Sequence, residues 1–219
     1  MEYQITDYNG ANKLFGNGLA QEWKEIKETV ETSKIHLKAS DQRGKVGSAI
    51  FDPVGTNQTF KDLLTAKDWK GNLNIPLEFR FLGKGVDFEK NGIIIEVQFS
   101  NYPFLLNNIF RSELFNKSNT VFDKKPTNSL VIITKSGKFA SSNSTLYYEQ
   151  AKKQLDSFSK YKSFDVPIRL VGLFANNDAD NEVVWTEYES ARYSRTIENQ
   201  STKNMFVSEL GRRYVFTDK

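Results

Sequence analysis

The stretch "GVDFEKNGIIIEVQFSN", residues 85–101, constrains this chain more than any other. Asn91 and Gly92 sit between two runs rich in β-branched and aromatic residues. A type I′ turn requires positive φ at both central residues, which Asn and Gly tolerate best. The pair predicts a two-residue β-hairpin, and its register follows by counting outward. Lys90 then faces Ile93, Glu89 faces Ile94, Phe88 faces Ile95, and Asp87 faces Glu96.

Directly opposed residues share one face of a sheet, with Cβ atoms roughly 4.5–5.5 Å apart. Two carboxylates placed so repel each other, and Glu89, nearer the turn on that face, adds to the repulsion. A shared proton, a cationic side chain or a metal ion must neutralise the pair. Gln98 lies two residues past Glu96 and projects from the same face. Two carboxylates with waters and a substrate phosphate form the oxygen shell that Mg²⁺ accepts. Taken alone, the same residues also read as a solvent-exposed acidic pair.

Composition narrows the chemistry. The 219 residues suit one domain, with room for a small subdomain. Thirty basic against 27 acidic residues give a net charge of +3, which permits a basic cleft on a mixed surface. With no cysteine, a disulfide framework and thiolate chemistry are excluded. The one histidine, His36 in "SKIHLKAS", excludes a multi-histidine zinc site and reads as an ordinary strand or loop residue. No signal-peptide pattern opens the chain and no apolar run has the length of a membrane span, so a soluble, cytoplasmic protein is expected.

Along the chain, residues 21–31 have helical spacing, with Trp23, Ile26 and Val30 on one stripe. A turn at Asp52-Pro53 precedes a helix predicted to end near Gly71, and Pro76 opens a strand into the hairpin. Helices are predicted over 102–117 and 147–160, with strands in "NSLVIIT", "FDVPIRLVGLF" and "VVWTEY". Residues 176–181 read as a polar loop, and the tail after Arg192 has no clear period. This order predicts an α/β protein with a central mixed β-sheet flanked by helices.

A Ser-His-Asp triad, a P-loop and a dinucleotide loop are not supported, whereas paired carboxylates suit a glycosidase or metal-assisted phosphodiester hydrolysis. The hairpin position and the adjacent amide favour the second. Action on DNA would need polar segments for base readout. "ASSNS" at 140–144, "RYSRT" at 192–196 and Ser100-Asn101 have suitable side chains. Each also has a plainer role: Ser144 or Asn143 as the N-cap of a helix opening at Leu146, "RYSRT" as a solvated strand edge, Arg111 as a surface charge.

Longer blocks carry more information: "KASDQ", "KVGS", "IFDPVGTNQ", "EVQFSNYPFLLNN", "RSELF", "TLYYEQA", "FDVPIRLVGL" and "RYSRTI". In these the chain resembles the BglII-like type II restriction endonucleases, within the PD-(D/E)XK nuclease superfamily. The resemblance runs from near the N-terminus to about Ile197. It implies a restriction endonuclease-like core with an added β subdomain, in which residues 175–219 would form a small DNA-binding unit. It also implies a Mg²⁺-dependent homodimer that cuts both strands of a palindromic site.

The family's acids fall on Asp87 and Glu96, its lysine position is Gln98, and Val86 stands where its proline would be. A neutral amide can orient water but supplies no positive charge. For DNA contacts the resemblance points to Ser100, Asn101, Arg111, Asn143, Ser144, Tyr193, Ser194 and Arg195, with Asn72 in support near the first acid. The helices at 102–117 and 147–160 are candidate dimer surfaces. If specificity follows the family, the target is AGATCT, cut after the first A to leave GATC overhangs and 5′-phosphates. The alternatives are a relative accepting R^GATCY and a DNA-binding module that has lost cleavage.

Overall fold

A computed structural model describes residues 1–142, 144–190 and 196–218. The hairpin forms as the Asn-Gly pair predicts. Asn91 has φ 54° and Gly92 φ 86°, and β5 (Gly85–Lys90) pairs antiparallel with β6 (Ile93–Val97) through Lys90–Ile93, Glu89–Ile94 and Phe88–Ile95. It lies inside a six-stranded sheet ordered β1-β8-β7-β6-β5-β4. Here β1 is Glu2–Tyr8, β4 is Lys70–Asn74, β7 is Ser129–Lys135 and β8 is Ile168–Phe174. The β6, β7 and β8 strands are parallel, so each connection must cross back over the sheet. Helices α4 (Pro103–Lys117) and α5 (Tyr148–Lys160) make those crossings.

Both faces of the sheet are buried. Ile94, Leu130, Ile132 and Leu170 pack with Leu105 and Ile109 of α4 and with Leu155 of α5. Ile93, Ile95, Val131 and Ile133 pack on the opposite side. That side is covered by α1 (Ala11–Gly16), α2 (Ala20–Thr32) and α3 (Pro53–Thr65). Strands buried on both faces read as continuous apolar runs, as "LVIIT" does.

A second sheet has the order β11-β10-β9-β2-β3. Its long hairpin joins β10 (Ile197–Leu210) to β9 (Ala179–Tyr188) and β11 (Arg213–Asp218), and β9 then pairs parallel with β2 (Ile35–Ala39), which is flanked by β3 (Ala49–Phe51). The C-terminal segment therefore does not stand alone: two strands from the first quarter of the chain complete its sheet. Val183 and Val207 join the same core as Ile93 and Val131.

Several sequence-based boundaries shift. Asp52 is the N-cap of α3, accepting from the Val54 and Gly55 N–H groups, and Pro53 is the first helical residue. That helix ends at Thr65, and Gly71 belongs to β4. After Pro76 comes a 3₁₀ turn, Leu77–Leu82, rather than a strand. The polar 176–181 segment already enters β9 at Ala179, and the tail without a clear period is the β10–β11 hairpin.

The β5–β6 turn docks on the entry to β7, where Asn128 N–H donates to Gly92 O at 2.8 Å and Asn128 Nδ2 to Asn91 O at 3.0 Å. A Cβ on Gly92 would meet Pro126 O and would lie 2.6 Å from Asn128 Nδ2. Combining this crowding with the positive φ, Gly92→Ala is expected to cost about 2–3 kcal/mol of stability, measured by urea unfolding.

Candidate active site

The β5–β6 ladder stops at Phe88–Ile95, one step before the acids. There the Asp87 carboxylate takes over the pairing, its Oδ2 accepting from Val97 N–H at 2.8 Å. Alternation along β5 breaks at the same place: Val86 packs into the α4 side of the sheet and Phe88 into the other. Strand β6 continues straight on, paired to β7 through Val97, with Gln98 N–H donating to Ile133 O. One acid thus sits on a splayed strand and the other on a rigid one.

Glu96 is buried, and so is its partner, Arg111 of α4, whose Nη2 donates to Glu96 Oε1 while Nη1 donates to Gly85 O at 3.2 Å. Arg111 is therefore no surface charge but a buried one, paired to Glu96. It is the cation that the acidic pair requires, supplied from the neighbouring helix. Glu89 does not add to the crowd, because its Oε1 accepts from Gly92 N–H at 2.7 Å and braces the turn.

One guanidinium between two acids leaves negative charge in excess. Burial, then the Asp87 charge, push the Glu96 carboxyl up to about 8 against the pull of Arg111. Burial also raises Asp87, opposed by the Val97 N–H and by Arg111. Among the described residues no three His, Cys, Asp or Glu side chains converge, and the acids at this end of the hairpin are Asp87 and Glu96. An all-oxygen donor set of two crowded carboxyls fits a hard divalent cation.

Gln98 is held from two sides: its Nε2 donates to Ser100 Oγ, and its Oε1 accepts from Asn108 Nδ2 at 3.4 Å. Asn108 and Arg111 are one helical turn apart on α4, so one face of that helix reaches both Gln98 and Glu96. Asn72 is a strand residue of β4 with φ 54°, not a loop residue, and it lines a cavity of about 640 Å³ together with Asp87. Asn57, Gln58 and Lys61 of α3 form the facing wall.

The Ser100-Asn101 and "ASSNS" segments meet. Ser100 O accepts from Thr145 N–H at 3.1 Å and Leu146 N–H at 2.9 Å, and Thr145 Oγ1 donates to Asn101 Oδ1 at 3.3 Å. Ser144 is not a helix cap. The helix starts at Tyr148, its N-cap Tyr147 makes no side-chain cap, and Ser144 Oγ instead donates to Phe99 O at 2.6 Å. Asn143, Tyr193, Ser194 and Arg195 lie outside the described residues.

Spacing missed Asn108, the α3 wall and the pairing role of Arg111. The helical phase of α4 could have found the first and last: Leu105, Asn108, Arg111 and Ser112 share its buried side.

Residues 3–173 match the family model described as restriction endonuclease BglII/BglIII. The chain is 54% identical over 202 residues to the type II restriction enzyme BglII of Bacillus subtilis, covering 92% of this chain and 89% of that protein. It matches the crystal structure of restriction endonuclease BglII complexed with a DNA 16-mer at a TM-score of 0.95 and 51% identity, and that of free BglII at 0.78 and 46%, with full coverage of both chains in each case. The arrangement described here is therefore closer to that of the DNA-complexed relative.

Stability should register the crowded acids. With Glu96 raised from 4.5 to about 8, the folded chain binds more protons than the unfolded chain between those values. Stability then falls as pH rises through that window and levels off above it. Glu96→Gln should flatten this fall, its stability relative to the parent improving from pH 5 to pH 8. Urea unfolding at a series of pH values, with a chelator present, measures the effect.

Proposed function

Because the chain belongs to the BglII/BglIII family of type II restriction endonucleases, we propose that it cleaves both strands of a palindromic DNA site with a GATC core, using Mg²⁺. The favoured site is AGATCT, cut after the first A. The observation that carries this reading is the meeting of Asp87, Glu96 and Gln98 at one end of the hairpin, with Ser100 bonded directly to Gln98.

Asp87 and Glu96 would hold the cation. When bound, it would lower the pKa of a water and offset charge developing on the scissile phosphate. Arg111 holds Glu96 in place and balances one negative charge of the pair. Gln98, fixed between Ser100 and Asn108, offers an amide to orient the attacking water. In-line attack forms the new bond from water oxygen to phosphorus and breaks the bond to the 3′ oxygen. The products are a 5′-phosphate and a 3′-hydroxyl. Lys61 on the facing wall has no ion-pair partner among the described residues and suits a backbone phosphate.

Base readout falls to Ser100, Asn101 and Ser144, joined by Asn143, Tyr193, Ser194 and Arg195. The first three surround one backbone crossing beside Gln98, which supports their acting together. Identical half-sites call for a two-fold dimer. Its surface is better supported on α4 than on α5: Leu106, Phe110 and Leu114 form an outward stripe at four-residue spacing, with Phe110 54% exposed. The work of such an enzyme places it in the prokaryotic cytoplasm, and among the described residues no helix is long and apolar enough to cross a membrane.

Asp87→Ala and Glu96→Ala should each lower cleavage by about 10³-fold or more while specific binding survives. Plasmid digestion with end sequencing, beside gel-shift assays, checks both. Fragments ending in GATC from sites of type RGATCY would favour the degenerate relative, and binding without any cutting by the parent would favour the module that has lost cleavage. Replacing Mg²⁺ by Ca²⁺ should suppress cutting but permit binding, because the larger, more loosely coordinated ion meets the same oxygens. Phe110→Glu should shift the chain from dimer to monomer in sedimentation velocity and reduce double-strand cutting more than its thermal stability.

A further inference from the structure

Among the described residues Lys135 is the most deeply buried cation that the chemistry above leaves unused. It ends β7 at 2% exposure, and among the described residues no carboxylate lies within ion-pair distance. The nearest acid, Glu149, is turned to Ser136 Oγ and Gly137 N–H, both at 2.8 Å. A buried ammonium without a counter-ion is costly, and burial with the nearby Arg213 charge lowers its pKa to about 8. Methionine or leucine would fill the same space with less penalty, so its polar contacts identify its role.

Those contacts are few and directed. Lys135 Nζ donates to Ser144 Oγ at 3.0 Å and to Leu146 O at 3.4 Å. With one lone pair occupied by the ammonium, the Ser144 hydroxyl points its own proton to Phe99 O at 2.6 Å. Leu146 N–H and Thr145 N–H then meet the next carbonyl, Ser100 O. Lys135 therefore clamps, from beneath, the crossing of two segments: one continues from Glu96 and Gln98 of β6, and the other is residues 144–146, which lead into α5.

We propose that Lys135 is a positioning residue for sequence discrimination, setting how residues 100–101 and 144–146 lie against each other without touching DNA itself. The inference rests on those segments reading bases. A mispositioned hydrogen-bond donor at a base edge forfeits discrimination, whereas contacts to the phosphate backbone tolerate small shifts.

The test uses Lys135→Met, Asn101→Ala and the parent dimer on duplexes carrying the site identified by end sequencing and its single-base variants. In Lys135→Met the ratio of kcat/KM between cognate and variant sites should fall by about tenfold or more. Affinity for non-cognate duplex and its salt dependence should stay as in the parent, and amide exchange at Thr145 and Leu146 should speed up. An unchanged ratio in a folded Lys135→Met overturns the proposal. So does a uniform loss of affinity with a salt slope smaller by about one, which would mark a phosphate contact. If Asn101→Ala also leaves discrimination intact, the base-reading assignment fails instead. Should Lys135→Met not fold, Lys135→Gln decides. Its shorter amide cannot span both Ser144 Oγ and Leu146 O, so a parental ratio there equally overturns the proposal.

Discussion

The register of one β-hairpin governs the rest of the molecule. Gly92 carries a positive φ, lacks the Cβ that would strike Pro126, and receives the Asn128 N–H, so the turn can sit in only one way against the entry to β7. A slip of one residue would send Ile94 and Glu96 to the α3 side and Ile93 and Ile95 to the α4 side, exchanging every buried contact of two cores. With the register held, Glu96 faces Arg111, Gln98 faces Asn108, and Ser100 emerges where the "ASSNS" loop returns. The acids converge because pairing ends at that place and the Asp87 side chain substitutes for a backbone partner.

Helix α4 ties this site to the outer surface. Its inner side presents buried Asn108 and Arg111, and its outer side presents Leu106, Phe110 and Leu114. The buried Glu96–Arg111 pair is a poor source of net stability, since two desolvated charges roughly offset their attraction. Its physical value lies in keeping a carboxylate fixed, beside a second one, in a place from which water alone would drive a proton onto it.

The sequence revealed what short-range rules govern. Asn-Gly set the turn, counting outward from it set the pairing of residues 88–90 with 93–95, and three- and four-residue spacing set α2, α4 and α5 within a residue or two. It revealed much less where partners are distant in the chain. Arg111 reads as a surface charge until α4 is laid against β6. Lys135, one residue past the predicted strand "NSLVIIT", carries no signal until Ser144 and Leu146 are brought onto it. Pro76 suggested a strand because X-Pro favours extended backbone, yet the following residues close into a 3₁₀ turn whose Phe79 packs on Phe115 of α4. The long tail hairpin lacked a period because most of β10 is exposed on both faces, leaving no apolar alternation to detect.

The placement of positive charge resolves the absence of a lysine where the superfamily carries one. A net charge of +3 says little about a surface, but three basic side chains stand at different depths around the carboxylates and the crossing of residues 99–101 with 144–146. Arg111 lies behind Glu96, in contact and buried. Lys135 lies beneath the loops, buried and away from the acids. Lys61 lies across the cavity from Asp87, exposed and unpaired among the described residues. Only the last can meet a phosphate without first giving up a partner. A neutral amide at Gln98 then becomes intelligible. A lysine there carries donors only and could not accept the Asn108 amide hydrogen as Gln98 Oε1 does. An amide can both donate and accept, so Gln98 satisfies Ser100 and Asn108 together, linking the end of the strand that carries Glu96 to helix α4.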